Sequence, residues 1–202
     1  MSLSALYVDF GGVLVRTVDR APRRRLAKSL GLSSRAIEQI VFESPSAAQA
    51  AVGAISEEQH WVNVIRALKL PEGDIPRVKE EFFGGDTWDE ALFDFLRGLR
   101  KTIKTGLISN AWTGLRATIA KHQFDDAFDA MIISAEVKVA KPEARIFQIA
   151  LSALGVSAGE AVFVDDMPAN VKAARVVGMQ AIQFTQPQAV LDEIKRLLTN
   201  HR

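Results

Sequence analysis

The chain has 202 residues, 48% hydrophobic, 24% charged and 7% aromatic. That is an ordinary globular profile, which excludes collagen-like, disordered and disulfide-scaffold classes and leaves enough chain to bury a core unaided. Lys and Arg number 25 and Asp and Glu 24, a formal charge of +1, so nothing draws the whole chain toward nucleic acid. Cysteine is absent, which excludes disulfides, thiolate nucleophiles and cysteine-based zinc sites and suits a reducing cytoplasm.

The apolar residues before Asp9 carry no basic leader, and no run approaches about 18 uninterrupted apolar residues. A cytoplasmic protein with no membrane partner is expected. In chain order, a first strand is predicted over 3–8, ending at Asp9. From about Val18 to Gly85 only helices are predicted, over 20–30, 34–42, 56–70 and 75–83, the third opened by the capping-box pattern Ser56-Glu-Glu-Gln59. A helix over 88–100 follows, then strands over 105–108 and 130–134, and a helix over 143–154. The chain closes with a strand over 161–164, a helix over 170–177, a strand over 180–184 and a helix over 188–198. Gly155 and Gly178 fall where helix C-caps belong. The strands are short and apolar throughout, as strands buried on both faces are. Their alternation with helices implies an α/β fold with a doubly wound, Rossmann-like parallel sheet. The helical stretch is an insertion into it.

In such a sheet ligands bind beyond the carboxyl ends of the strands. The polar residues collect there: Asp9 after the first strand, Ser109 and Asn110 after the second, Asp165 and Asp166 after the fourth. Lys141 precedes a helix. One lysine cannot balance three converging carboxylates, so a hard divalent cation is the natural complement, and Mg²⁺ prefers a few carboxylates with water and phosphate. A metal, a lysine and a hydroxyl around a carboxylate are the requirements of phosphoryl transfer.

These residues stand in four motifs: Tyr7-Val-Asp9-Phe-Gly-Gly-Val-Leu14, Leu107-Ile-Ser109-Asn110, Val139-Ala-Lys141-Pro-Glu-Ala-Arg-Ile146 and Val162-Phe-Val-Asp165-Asp166-Met-Pro-Ala-Asn170. In this order they resemble the haloacid dehalogenase superfamily, a group rich in phosphatases. The insertion resembles that family's helical cap of the first type, and the stretch from Ala161 to Met179 is similar to the amino-terminal phosphatase domain of soluble epoxide hydrolases. The resemblance implies a catalytic core over 1–16 and 87–202 and a cap over 17–86. It implies Asp9 as nucleophile and, with the Gly11 carbonyl, Asp165 and Asp166, as a ligand of Mg²⁺. Ser109, the Asn110 backbone and Lys141 would hold the phosphoryl group, Ser109 and Lys141 also acting in catalysis, and Asn170 would support the metal loop. The implied activity is Mg²⁺-dependent hydrolysis of a small phosphorylated metabolite through an aspartyl-phosphate, by a monomer or homodimer.

One departure matters. Family phosphatases usually carry a second aspartate two residues after the nucleophile, which protonates the leaving group. Here that position is Gly11, as in members resembling sugar-1-phosphate phosphatases. General acid–base help is worth roughly 10²–10⁴-fold, and its loss matters least for a good leaving group such as an aryl or acyl phosphate. Two alternatives stay open: a 2-haloacid dehalogenase, whose fourth motif is serine-rich where this chain has two aspartates, and a weakly active or non-catalytic phospho-ligand-binding protein. A response-regulator receiver is excluded, because its acidic pair comes early and its lysine last.

Several features admit a bland reading beside a functional one. Arg16, Arg20, Arg23, Arg24, Arg25 and Lys28 form a basic cluster that is either a solvated helix face or an attractor of anionic substrate. Arg16, nearest the nucleophile loop, is the phosphate-binding candidate. His60, Trp61 and Trp112 either pack or face substrate, and His122 and His201 show no metal-ligand spacing. Gly11-Gly12 is expected to serve a tight turn at positive φ.

Overall fold

The computed structural model describes residues 3–199. The first strand, β1 (Ala5–Val8), is fully buried and lies at the centre of a sheet. Its residues alternate between two cores: Leu6 and Val8 face one cluster, Ala5 and Tyr7 the other. A tight loop then leads to β2 (Val15–Thr17). Next come the helices α1 (Ala21–Ser29), α2 (Ser34–Glu38), α3 (Pro45–Ala51), α4 (Glu57–Ala67) and α5 (Ile75–Phe83), with a π-helical turn, Gln39–Glu43, after α2. The chain returns through β3 (Asp86–Trp88) and enters α6 (Glu90–Leu99). The remainder alternates: β4 (Lys104–Ser109), α7 (Leu115–Lys121), β5 (Ala130–Ile133), α8 (Ser134–Val137), α9 (Ala144–Leu154), β6 (Ala161–Asp165), α10 (Pro168–Val177), β7 (Gln180–Gln183) and α11 (Pro187–Thr199).

The sheet has five parallel strands in the order β5-β4-β1-β6-β7. Residues of α6, α7 and α11 cover one face, and α9 and α10 cover the other, so the sheet is doubly wound as the sequence predicts. Gly155 and Gly178 end α9 and α10 at φ 62° and 99°, the left-handed conformation that a helix C-terminus favours in glycine.

Several local features differ from the sequence reading, among them α7 and α8, where no helix was expected. Residues 15–17 and 86–88 pair as an antiparallel ribbon, with Val15 opposite Trp88 and Thr17 opposite Asp86. Trp88, expected to open a helix, is therefore a strand residue, and Asp89 caps α6 by accepting from the Leu92 amide at 3.0 Å. The helix expected over 34–42 gives way to the π-turn after Glu38. Pro45, which reads as punctuation, opens α3 behind the N-cap Ser44, a position that suits proline because no amide hydrogen is needed there.

Helices α1 to α5 and the π-turn build their own apolar cluster from Leu26, Ile37, Val41, Trp61, Ile65, Val78 and Phe82. Both chain crossings between this cluster and the sheet run through the β2–β3 ribbon. Further contacts tie the bodies together, among them the Ala51 carbonyl accepting from Ser134 Oγ at 2.5 Å and the Gly53 carbonyl from Lys138 Nζ at 2.8 Å. Among the described residues no helix is long and apolar enough to cross a membrane.

Candidate active site

Strand register gathers the site. Val8 lies opposite Leu107 on one side and Val164 on the other, so Asp9, Ser109 and Asp165 reach the same edge of the sheet. The Asp9 amide continues the ladder by donating to the Val164 carbonyl at 2.9 Å. Oxygens of Asp9, Asp165 and Asp166 all lie within 4.8 Å of one another.

Lys141 is the hub. Its side chain is wholly buried, and its ammonium donates to Asp9 Oδ1 at 2.8 Å, Asp165 Oδ2 at 2.7 Å and the Ile108 carbonyl at 2.9 Å. An ammonium has three N–H donors, so each is engaged. The backbone of Lys141 is held as firmly. Asn110 donates from Nδ2 to its carbonyl and accepts its amide at Oδ1, both at 2.8 Å. The Asn110 side chain thus positions Lys141, a role that spacing alone did not reveal because the partners are 31 residues apart.

The two buried aspartates are used differently. Asp165 is saturated: besides Lys141 it accepts from the Met167 amide at 2.8 Å and from Asn170 Nδ2 at 3.1 Å on both oxygens. Asp9 receives the Phe10 amide at 2.7 Å and Lys141 on Oδ1 alone. Its other oxygen has no hydrogen bond among the described residues. Burial pushes the Asp9 carboxyl up to about 6, against the pull of Lys141 and with the repulsion of Asp165. Burial, then Asp165, also raises Asp166. Among the described residues Asp166 has no cationic side chain in ion-pair contact.

Both carboxyls are thus weaker acids than usual, first through burial and then through a negative cluster two charges in excess of its one lysine. An all-oxygen donor set around a deficit of positive charge fits a hard divalent cation. The residues fit Mg²⁺, with Asp166 offering the least-engaged carboxylate beside Asp9.

The nucleophile loop explains its glycines unequally. Gly12 has φ 81°, and a Cβ there would stand 2.5 Å from Asp166 Cγ and closer still to its Oδ2. Only glycine lets the Asp166 carboxylate approach. A Cβ on Gly11 would meet nothing within 4 Å, and its φ lies outside the left-handed region. The expected backbone need is therefore met at Gly12, whereas Gly11 faces open space.

Of the remaining candidates only Ser109 shares the edge with the carboxylates. Ser109 is buried at the end of β4, and its hydroxyl makes no hydrogen bond among the described residues. Arg16 is not gathered with the carboxylates. It pairs with Asp89 at 2.6 Å, donates to the Val13 carbonyl and lies 5.4 Å from the Phe184 ring centroid. Arg23 is buried against Phe82 and pairs with Glu38 and Asp86, while Arg20, Arg24, Arg25 and Lys28 are exposed. His60 is buried with both ring nitrogens occupied by Ser46 and the Val41 carbonyl. Trp61 is buried beside it, and its Nε1 has no acceptor among the described residues. His122 stacks on Trp88 at 4.0 Å, and His201 lies outside the described residues.

A parallel sheet with an inserted helical body and acidic strand ends defines a hydrolase class, and residues 4–178 match the haloacid dehalogenase-like hydrolases. The chain belongs to that family, and is an enzyme of it. It is 36% identical to sesquiterpene phosphatase astK of Aspergillus oryzae, over 98% of this chain and 97% of that one. It is 26% identical to bifunctional epoxide hydrolase 2 of Sus scrofa, over 98% of this chain but only 39% of the relative. The chain thus spans well under half of that larger protein. A haloacid dehalogenase family enzyme of Bacteroides thetaiotaomicron, crystallised with magnesium and inorganic phosphate, has the same fold at a TM-score of 0.76 and 23% identity, covering 91% of this chain and 95% of the other.

Proposed function

We propose that this protein hydrolyses a phosphate monoester with Mg²⁺ bound, Asp9 acting as nucleophile. The observation that carries the reading is the unequal use of Asp9: one oxygen is fixed by Lys141 and the Phe10 amide, and the other is unengaged in a site short of positive charge. The phosphatase names of a full-length relative and the phosphate found in a structural neighbour support it.

On this reading the free Asp9 oxygen attacks phosphorus as the bond to the ester oxygen breaks. The leaving oxygen takes its proton from water, because Gly11 offers none. Water then attacks the phosphorus of the aspartyl-phosphate, the bond to Asp9 breaks, and phosphate departs with the carboxylate restored. Ser109 donates to the phosphoryl group. Lys141 holds Asp9 in line and pairs with Asp165, and Asn110 fixes Lys141. Asp166, the Gly11 carbonyl and the Asp9 oxygen that does not attack would hold Mg²⁺, with Asp165 mainly orienting the loop. The cation supplies charge neutralisation at the phosphoryl oxygens. Arg16 fits the reading only indirectly, as a brace between the nucleophile loop and Asp89. Residues 1–16 and 87–202 form the catalytic core on this account, and 17–86 the cap.

Trapping tests it. After a pulse of labelled acetyl phosphate with Mg²⁺ and acid quench, label should remain on the protein, be released by hydroxylamine and be absent from Asp9→Asn. Label that persists in Asp9→Asn overturns the assignment.

A further inference from the structure

An aromatic wall that the chemistry above does not use begins two residues after Asn110. Trp112 follows Asn110 by two residues, so its Cα lies within about 7.6 Å of that of Asn110. Its ring leaves the sheet side altogether. Among the described residues its ring partners all belong to the helical insertion: His60 at 4.5 Å, Trp61 at 5.9 Å and Phe42 at 6.1 Å, the last stacked at 27°. Phe42 sits in the π-turn and remains 49% exposed. Edge contacts with Phe82 and Phe83 brace it from behind.

Among the described residues the carboxylate recorded beside the wall is matched. Glu57, which meets the 113–114 segment of the same loop, is paired with Lys79 at 2.7 Å. Both nitrogens of His60 are occupied. What remains is aromatic area held on a rigid backing, and aromatic faces bind apolar bodies. In an in-line displacement the leaving group departs opposite Asp9. The insertion stands against the 110–114 loop, which runs on directly from Ser109 at the end of β4. A Cβ at Gly11 would meet nothing within 4 Å, and the residue offers no proton to the leaving oxygen, which also selects a leaving group stable as an anion.

We infer that Phe42 and Trp112 form the leaving-group subsite, and that the substrate is an organic phosphate ester with a bulky apolar leaving group. This rests on the phosphatase reading.

The test compares 2-naphthyl phosphate with phenyl phosphate, whose leaving groups have similar acidity and differ by one fused ring. Binding to the Asp9→Asn protein is measured by calorimetry with Mg²⁺, alone and combined with Phe42→Ser or Trp112→Phe. Turnover of acetyl phosphate by the unaltered protein, which needs no apolar contact, separately tests the phosphatase reading. The extra ring should tighten binding about tenfold, and Phe42→Ser should shrink that ratio to about threefold or less. Circular dichroism melts confirm that both variants fold, and Trp112→Phe should retain more of the ratio than Phe42→Ser, because a ring remains. A ratio near one in the unaltered pocket, or a ratio that both variants leave intact, overturns the inference. Loss of acetyl phosphate turnover with the ratio preserved overturns the phosphatase reading and leaves the apolar subsite standing.

Discussion

Gly11 and Gly12 are adjacent in sequence and opposite in what they tolerate, which makes a paired substitution informative. A methyl group at Gly12 would fall 2.5 Å from Asp166 Cγ and 2.9 Å from its Oδ1, on a backbone with φ 81°. A non-glycine residue in the left-handed region costs about 1–2 kcal/mol. For a chain of this length that lowers Tm by about 2–8 °C. Asp166 is only half-buried and can swing away, so the larger effect falls on the acidic cluster. Gly12→Ala should raise the Mg²⁺ concentration for half-maximal turnover at least tenfold. Gly11→Ala meets no atom within 4 Å and should change Tm by under about 2 °C, corresponding to the small effect of an unobstructed substitution. The assay is a thermal melt with a Mg²⁺ titration of p-nitrophenyl phosphate hydrolysis for both variants. Equal melts and equal Mg²⁺ dependence would refute the packing argument.

Three further outcomes follow from the same geometry. Gly11→Asp has room for its carboxyl and should raise kcat on alkyl phosphates by about 10²-fold or more, the range of general acid catalysis, with little gain on aryl or acyl phosphates; equal gains on all substrates would contradict the proton-donor account. Lys141→Met removes the cation that pairs with both Asp9 and Asp165 and should cost about 3–5 kcal/mol by urea denaturation without added metal, and a loss under about 1 kcal/mol would show that the pair is not mutually restrained. Burial depresses the His60 imidazole below its ordinary value of 6.5, so the unfolded chain binds the extra proton. This contribution is fully present above pH 6.5 and is lost as pH falls below it. The urea midpoint of His60→Gln should therefore fall less between pH 7.5 and 5.5 than that of the unaltered protein, and parallel falls would exclude His60 as the source.

Much of this was legible in the sequence because its physical signals are local. Each sheet strand is a short apolar run ended by a polar residue, and the parallel register that brings Asp9 beside Asp165 follows once those runs align. The β2–β3 ribbon was not legible: three-residue strands show no usable alternation, and each is recognised only by its partner about 70 residues away. Arg16 illustrates the same limit. Its nearness to Asp9 in sequence suggested the phosphate, but Asp89 and Val13 claim its guanidinium. The π-turn that exposes Phe42 has no motif, and the wall it forms with Trp112 exists only because the core loop and the helical insertion meet.

The central claim is that Asp9, aided by Mg²⁺, performs phosphoester hydrolysis. The most direct measurement is p-nitrophenyl phosphate turnover with Mg²⁺, with a chelator, and in Asp9→Asn. The account predicts turnover with Mg²⁺ that both the chelator and Asp9→Asn abolish. Turnover that survives in Asp9→Asn, or none in the unaltered protein with Mg²⁺ bound, would contradict it.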